Sequence, residues 1–318
     1  MEVDASGPAS AGWCALSRSG STRAALALCL SSLLFAVMAI AAKLVAPRIP
    51  GPQAALVRFT LGFAVTVLAF GTGWAVIRPR RWGWLLARGF FGGVAVISYF
   101  ACIERVPVGV ATLLNQTQPI YTLIFSWLLI DERPPRVALV ALPLTLAGVA
   151  LIIGVRAHEL RAATGELLGV VSAICSGVAV TSVRAARRDL GDGQPSETAW
   201  SVFFSFTTLG ALLTIPAVVP PLGHWVAPSS AEWIWLALMG VAGVGGQIVM
   251  THSLRHLGGA TAGIISQLTV LFAVAGGAVV FGDAVRPSFV AGAAMTLAGV
   301  ALTVVSASPR LVGKLRVF

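Results

Sequence analysis

Charge is what this chain has least of. Only 11% of its 318 residues are Asp, Glu, Lys or Arg, against roughly 25% in soluble domains. With 57% hydrophobic residues and a mean hydropathy of +0.89, this excludes an ordinary soluble domain and leaves an integral membrane protein. Acidic groups are scarcer than basic ones. All twelve carboxylates lie in the first tail, in connectors or near the ends of apolar runs, so none is available at mid-membrane depth as a proton relay or cation site. Cysteine is rare too. Cys14, Cys29, Cys102 and Cys175 show no C-x-x-C spacing and three lie inside apolar runs, which fits small core residues rather than disulfides or metal ligands. His252 and His256 share a helix face at i, i+4 but have no third ligand. The sequence has no H-E-x-x-H, no G-x-S-x-G and no pair of mid-membrane Asp residues, which removes the usual machinery of an intramembrane enzyme. No cofactor or metal is expected. The net charge of +10 sits in short connectors rather than one patch, so it speaks for loop charge and not for a nucleic-acid partner.

What is abundant is long apolar runs, ten of them. They cover 24–42, 53–70, 82–103, 106–130, 137–155, 165–183, 196–219, 231–254, 260–281 and 288–307, each near the 17–25 residues of a spanning helix. The first, preceded by Arg18 and Arg23, is too long for a signal-peptide core of 7–15 residues and is expected to remain as a helix. Residues 1–22, rich in Ser, Gly and Ala, read as a disordered cytoplasmic tail, and 308–318 as a second cytoplasmic tail. With both termini inside, fourteen Lys and Arg fall on the cytoplasmic side and six on the other, as the positive-inside rule requires. The expectation is a multi-pass protein of the cell membrane.

The chain repeats itself. Trp82-Gly83-Trp84-Leu85 returns as Trp233-Ile234-Trp235-Leu236, and Leu146-Ala147-Gly148-Val149-Ala150-Leu151 as Leu297-Ala298-Gly299-Val300-Ala301-Leu302, both 151 residues on. The same offset joins Gly89 to Gly240, Gly92 to Gly243, Gln116 to Gln267 and Glu132 to Asp283. The first helices follow a shifted register in which Lys43 corresponds to Arg184. The fold class is therefore all-α membrane protein, ten transmembrane helices in two five-helix repeats, 23–155 and 164–307. An odd number of helices per repeat inverts the second copy, an architecture that can expose one central site alternately to either side.

The most anomalous stretch is Thr112 to Pro119, T-L-L-N-Q-T-Q-P, inside the fourth run. Thr112, Asn115, Gln116 and Pro119 fall at i, i+3, i+4 and i+7, one helix face. Pro119 lacks an N–H and so frees the Asn115 carbonyl. On the ninth run the matching face holds Gly263, Ser266 and Gln267. Polar amides at this depth are costly unless they pair, line a cavity or meet a ligand. Tyr99 and Gln247 are further candidates for a substrate cavity. The serines Ser31, Ser32, Ser172 and Ser176 are expected to bond to their own helices. Arg58, about 9 Å inside the second run, is assigned a structural or gating role, and Glu132 and Asp283 pairing with Arg at opposite membrane faces.

The segment A-T-L-L-N-Q-T-Q-P-I-Y-T-L-I-F-S-W-L-L-I-D-E-R-P followed by L-A-G-V-A-L, with its second copy at 262–283 and V-R-F-T around Arg58, resembles the EamA domain of the drug/metabolite transporter superfamily. That resemblance implies a central cavity walled by helices 1, 3 and 4 of each half, and export of small metabolites, amino acids among them. The expected function is a secondary transporter whose partners are a small polar solute and the bilayer. The competing readings are an intramembrane enzyme and a helical scaffold whose polar groups only join helices.

Overall fold

Proline, glycine and a few capping side chains cut the apolar sequence into helices. The computed structural model describes residues 9–103, 114–153, 164–188, 195–220, 223–281 and 287–307. Among them the regular structure is helical: α1 (Ala9–Val45), α2 (Gly51–Gly71), α3 (Trp82–Ile103), α4 (Gln118–Ile130), α5 (Ala138–Ile153), α6 (Thr164–Arg187), α7 (Ala199–Thr214), α8 (Ser230–Ser253), α9 (Gly259–Ser266), α10 (Leu268–Phe281) and α11 (Pro287–Ala307). Pro50 stands at the N-cap of α2 with Pro52 in its first turn, where a missing N–H costs nothing. Thr198 caps α7 by accepting from the Ser201 N–H at 3.0 Å. Ser229 and Glu232 close a reciprocal capping box at the start of α8. α4 ends where Asp131 turns left-handed at φ 47°, a conformation Asp tolerates better than most residues.

Among the described residues, six helices are long and apolar enough to cross a membrane: Thr22–Val45, Gly51–Gly71, Thr164–Arg187, Ala199–Ala217, Ser230–Ser253 and Thr261–Val280. Gln118–Ile130, Ala138–Leu151 and Pro287–Thr303 are shorter apolar helices. Large apolar side chains such as Leu68, Ile234, Val241 and Val279 face outward, as suits a lipid-covered surface. α1 differs from expectation at its start. It is helical from Ala9, inside the stretch read as an irregular tail, because adding turns to an existing helix avoids the cost of nucleation.

The packing partners come in matched sets. α3 lies along α6 and α1 along α8; α3 meets α7 and α2 meets α8; α4 packs on α6 while α9 and α10 pack on α1. α5 with α11, α2 with α7 and α4 with α9 are the pairs across the middle. Where α5 meets α11, the glycine of each duplicated L-A-G-V-A-L segment packs on the turn just before the other segment. A Cβ at Gly148 would lie 2.5 Å from Thr296 Oγ1 and 2.6 Å from the Gly292 carbonyl oxygen, and one at Gly299 2.5 Å from Thr145 Cγ2 and 2.9 Å from the Ala141 carbonyl oxygen. Each glycine thus admits the other helix's backbone, the close approach that small residues permit between membrane helices. Gly148→Ala is expected to lower stability by about 1–3 kcal/mol through overpacking. Thermal unfolding in detergent measures it, with Gly71→Ala, where a Cβ meets open space, as the neutral reference.

Candidate functional site

The fourth and ninth apolar runs are both broken at the repeated glutamine. In the first, Leu114 and Asn115 are helical, Gln116 and Thr117 form a turn, and α4 begins at Gln118. Thr117 binds the Leu114 carbonyl with both its N–H (3.1 Å) and its hydroxyl (2.6 Å), and the Ile120 N–H turns back to the Thr117 carbonyl at 3.0 Å. In the second, α9 ends at Ser266, Gln267 is the turn and α10 begins at Leu268. Here the Gln267 N–H donates to the Ile264 carbonyl and the Val270 N–H to the Gln267 carbonyl, both at 3.1 Å. Val270 stands where the first copy has Pro119, so this break occurs without proline.

The two breaks face each other. Gln267 Nε2 donates to the Gln116 backbone carbonyl at 2.9 Å. That carbonyl is free because Ile120 has turned to Thr117, so the acceptor used at the break is one residue beyond the Asn115 carbonyl expected from Pro119. Gln267 is fully buried, and its Oε1 has no hydrogen-bond partner among the described residues. Beside it the Pro119 ring packs on Gly263, where a Cβ would come within 2.9 Å of Pro119 Cβ. The structure therefore brings Gln116, Pro119, Gly263 and Gln267 together at one crossing of α4 with α9.

The single face expected of Asn115, Gln116 and Pro119 is not kept, since the break re-aims what precedes it. Asn115 turns to α6 and donates from Nδ2 to Ser172 Oγ at 3.0 Å, while Ser172 donates to the Ala95 carbonyl of α3 at 2.8 Å. The Asn115 amide thus joins helices. Ser266 bonds to the Ala262 carbonyl of its own helix at 2.8 Å. Gln247 is buried on α8, with Nε2 3.5 Å from Thr251 Oγ1 on the same helix. Tyr99 is half-buried on α3. Thr112 and Asp283 lie outside the described residues. Ser32 back-bonds to Leu28 as expected, at 3.0 Å, but Ser31 reaches across to the Gly246 carbonyl at 2.7 Å. Ser31 and Ser172 thus correct the expectation of bonding within their own helices, because each meets a neighbouring helix at a glycine or alanine that leaves its carbonyl open.

At the end of α4 the left-handed Asp131 directs Glu132 into a polar cluster. Its carboxylate accepts from Arg184 Nε at 2.8 Å, from Arg188 Nη1 at 3.3 Å and from the Gly259 N–H that opens α9 at 3.1 Å. Arg184 also donates to the Leu254 and Arg255 carbonyls past α8, at 2.8 and 3.0 Å. One carboxylate thereby ties together the ends of α4, α6, α8 and α9. His256, in the turn beyond α8, is held below its ordinary imidazole value by burial first and then by Arg255 and the other cations around it.

Arg58 of α2 lines a small pocket with Phe59, Phe203, Phe206, Thr207, Gly243 and Val244. The guanidinium of Arg88, from α3, stacks over the Phe206 ring at 4.0 Å. Arg88 was passed over in the sequence, although it carries the signal that singled out Arg58, a cation inside an apolar run.

Residues 22–154 and 163–305 each match the EamA-like transporter family. The chain belongs to that family. Its EamA-like relatives include the pseudopaline exporter CntI of Pseudomonas aeruginosa, 24% identical over 76% of this chain and 82% of its own length. An uncharacterized transporter of Helicobacter pylori is 29% identical over 56% of this chain, and the match spans 57% of that protein. Human solute carrier family 35 member G1 is 26% identical over 59% of this chain and 53% of its own. A crystal structure 20% identical in sequence superposes with a TM-score of 0.73, covering 90% of this chain and 98% of its own, and so supports the fold alone. This EamA-like protein is a multi-pass membrane protein of a transporter family.

Proposed function

We propose that the protein is a secondary transporter that exports a small polar metabolite, such as an amino acid or an analogue of one, by alternating access. Ten spanning helices form two inverted five-helix repeats, both termini are cytoplasmic, and the solute binds where α4 and α9 cross. The observation that carries this reading is the buried Gln267 amide, which uses its nitrogen on the broken partner helix and leaves its oxygen unmet. An unpaired buried oxygen costs about 1–3 kcal/mol, and paired broken helices at an interface of repeats are where transporters place their sites.

Matched interactions support the inversion. Ser31 to the Gly246 carbonyl and Ser172 to the Ala95 carbonyl are the same bond in the two copies, 141 residues apart at the serines and 151 at the acceptors, the two registers read in the sequence. At one end Glu197 accepts from the Arg80 and Arg81 N–H groups at 2.5 and 2.6 Å. At the other, Arg48 binds Glu232, the repeat counterpart of Arg81, at 2.5 Å. The places correspond and the charges are exchanged.

The family and the name of the Pseudomonas relative support an outward direction. Because the carboxylates sit in tails, connectors and helix ends, transport runs down the solute's own gradient without a buried proton-carrying acid. The reading is tested with a panel of toxic amino acids and analogues. Overexpression is expected to protect cells against the exported member, and proteoliposomes are expected to show counterflow of it. Protection and counterflow absent across the panel would remove the reading, and uphill accumulation driven by a pH gradient alone would remove the uncoupled mechanism.

A further inference from the structure

Two cations of this protein lie within apolar runs rather than in tails or connectors, Arg58 and Arg88, and the fold brings both to the same aromatic residue. Phe206 lies under the Arg88 guanidinium at 4.0 Å and lines the pocket that holds Arg58. Arg88 is 5% exposed and its Nε has no hydrogen-bond partner among the described residues. Among the described residues neither guanidinium pairs with a carboxylate: Glu232 is held by Arg48, and Glu132 by Arg184 and Arg188.

Room for the pair is built into the repeat. A Cβ at Gly92 would lie 2.8 Å from Arg88 Nη1, and one at Gly243 would lie 3.0 Å from Arg58 Nε. Gly92 and Gly243 are the same position in the two copies, so each glycine clears space for one arginine.

Two like charges in an apolar interior repel each other and forgo hydration. A ring face returns only about 0.5–2 kcal/mol of that. An anion would relieve both costs, and a planar carboxylate matches the guanidinium fork.

We propose that Arg58 and Arg88 form an anion subsite for a solute bearing carboxylates. The inference rests on the transport reading and names the charged part of its solute. The neutral α4–α9 crossing handles the polar remainder.

The test uses the full chain in lipid nanodiscs, with thermal unfolding followed against glutarate, citrate and the uncharged glutaramide. The carboxylates are expected to raise the melting temperature in a saturable way and glutaramide to leave it unchanged. Arg58→Gln and Arg88→Gln are each expected to raise the half-saturating concentration at least about tenfold, the loss of one charge-assisted hydrogen bond. Arg136→Gln, which removes an exposed connector charge, is expected to match the parent. Should Arg88→Gln fail to fold, Arg58→Gln carries the same comparison. The absence of a carboxylate response, an equal response to glutaramide, or a response surviving in both variants would overturn the subsite. Flux in proteoliposomes separates the two claims. Alanine counterflow without carboxylate binding removes the subsite and leaves transport, whereas carboxylate binding without flux of any solute leaves the subsite and removes transport.

Discussion

Gln267→Leu is expected to cut transport at least about tenfold while leaving the protein folded and about as stable as the parent. The expectation follows from what the amide does. Leucine has nearly the volume of glutamine, so the packing of a fully buried residue is kept. The substitution removes the 2.9 Å bond to the Gln116 carbonyl, which destabilises, and the unpaired Oε1, which stabilises. Each is about 1 kcal/mol or a little more and they oppose each other. If the amide only joined helices, stability would fall and flux per folded molecule would stay constant. If its oxygen serves a passing solute, flux falls and stability does not. Size-exclusion chromatography and thermal unfolding, run beside counterflow on the same preparations, separate the outcomes. Gln116→Leu is the companion variant. The bond between the two helices uses the Gln116 backbone, so removing its side chain leaves that bond in place. A loss of flux there isolates the side chain's contribution to solute handling.

Much of this arrangement was legible in the sequence because repetition is readable even where helix packing is not. The 151-residue offset made Gln116 the counterpart of Gln267 and Gly148 the counterpart of Gly299; in the fold Gln267 bonds to Gln116, and each glycine packs on the helix that carries the other. Composition told membrane from solvent, and Pro, Gly and charge marked the helix ends. What periodicity could not supply was the break. An i, i+3, i+4, i+7 face presumes an unbroken helix, and once the turn at Gln116 is made Asn115 points to Ser172 instead of sharing a face with Pro119. In the second copy no proline announces the turn, because Val270 can donate its N–H and does so to Gln267. Arg88 was missed for another reason. It stands six residues inside the third run, close enough to an end to reach the interface, and only the position of Phe206 on another helix shows that it turns inward.

Glu132→Gln is expected to shift the protein toward the conformation open at the membrane face where Glu132 sits. In the structure one carboxylate there holds Arg184, Arg188 and the first N–H of α9. Glutamine keeps the shape but removes the charge. The two guanidinia then lose the carboxylate they share, and the positive end of α9 loses the group that compensates it. For partly buried pairs of this kind, with side chains 14–30% exposed, the loss is about 1–3 kcal/mol, below the 3–5 kcal/mol of a fully buried pair. A bias of that size changes a two-state population by about five- to 150-fold. The readout is the alkylation rate of Thr122→Cys in a background where Cys14, Cys29, Cys102 and Cys175 are alanine. Thr122 is fully buried, and its Cγ2 would lie 3.0 Å from a Cβ on Gly259, so separation of α4 from the start of α9 would expose it. Faster labelling in Glu132→Gln, with the melting temperature lowered and the chain still folded, identifies Glu132 as a latch between conformations. Unchanged labelling with the same loss of stability would reduce it to a packing contact. If the second copy is inverted as proposed, Asp283→Asn is then expected to have the opposite effect, favouring exposure at the other face, because it removes the charge that the 151-residue repeat pairs with Glu132.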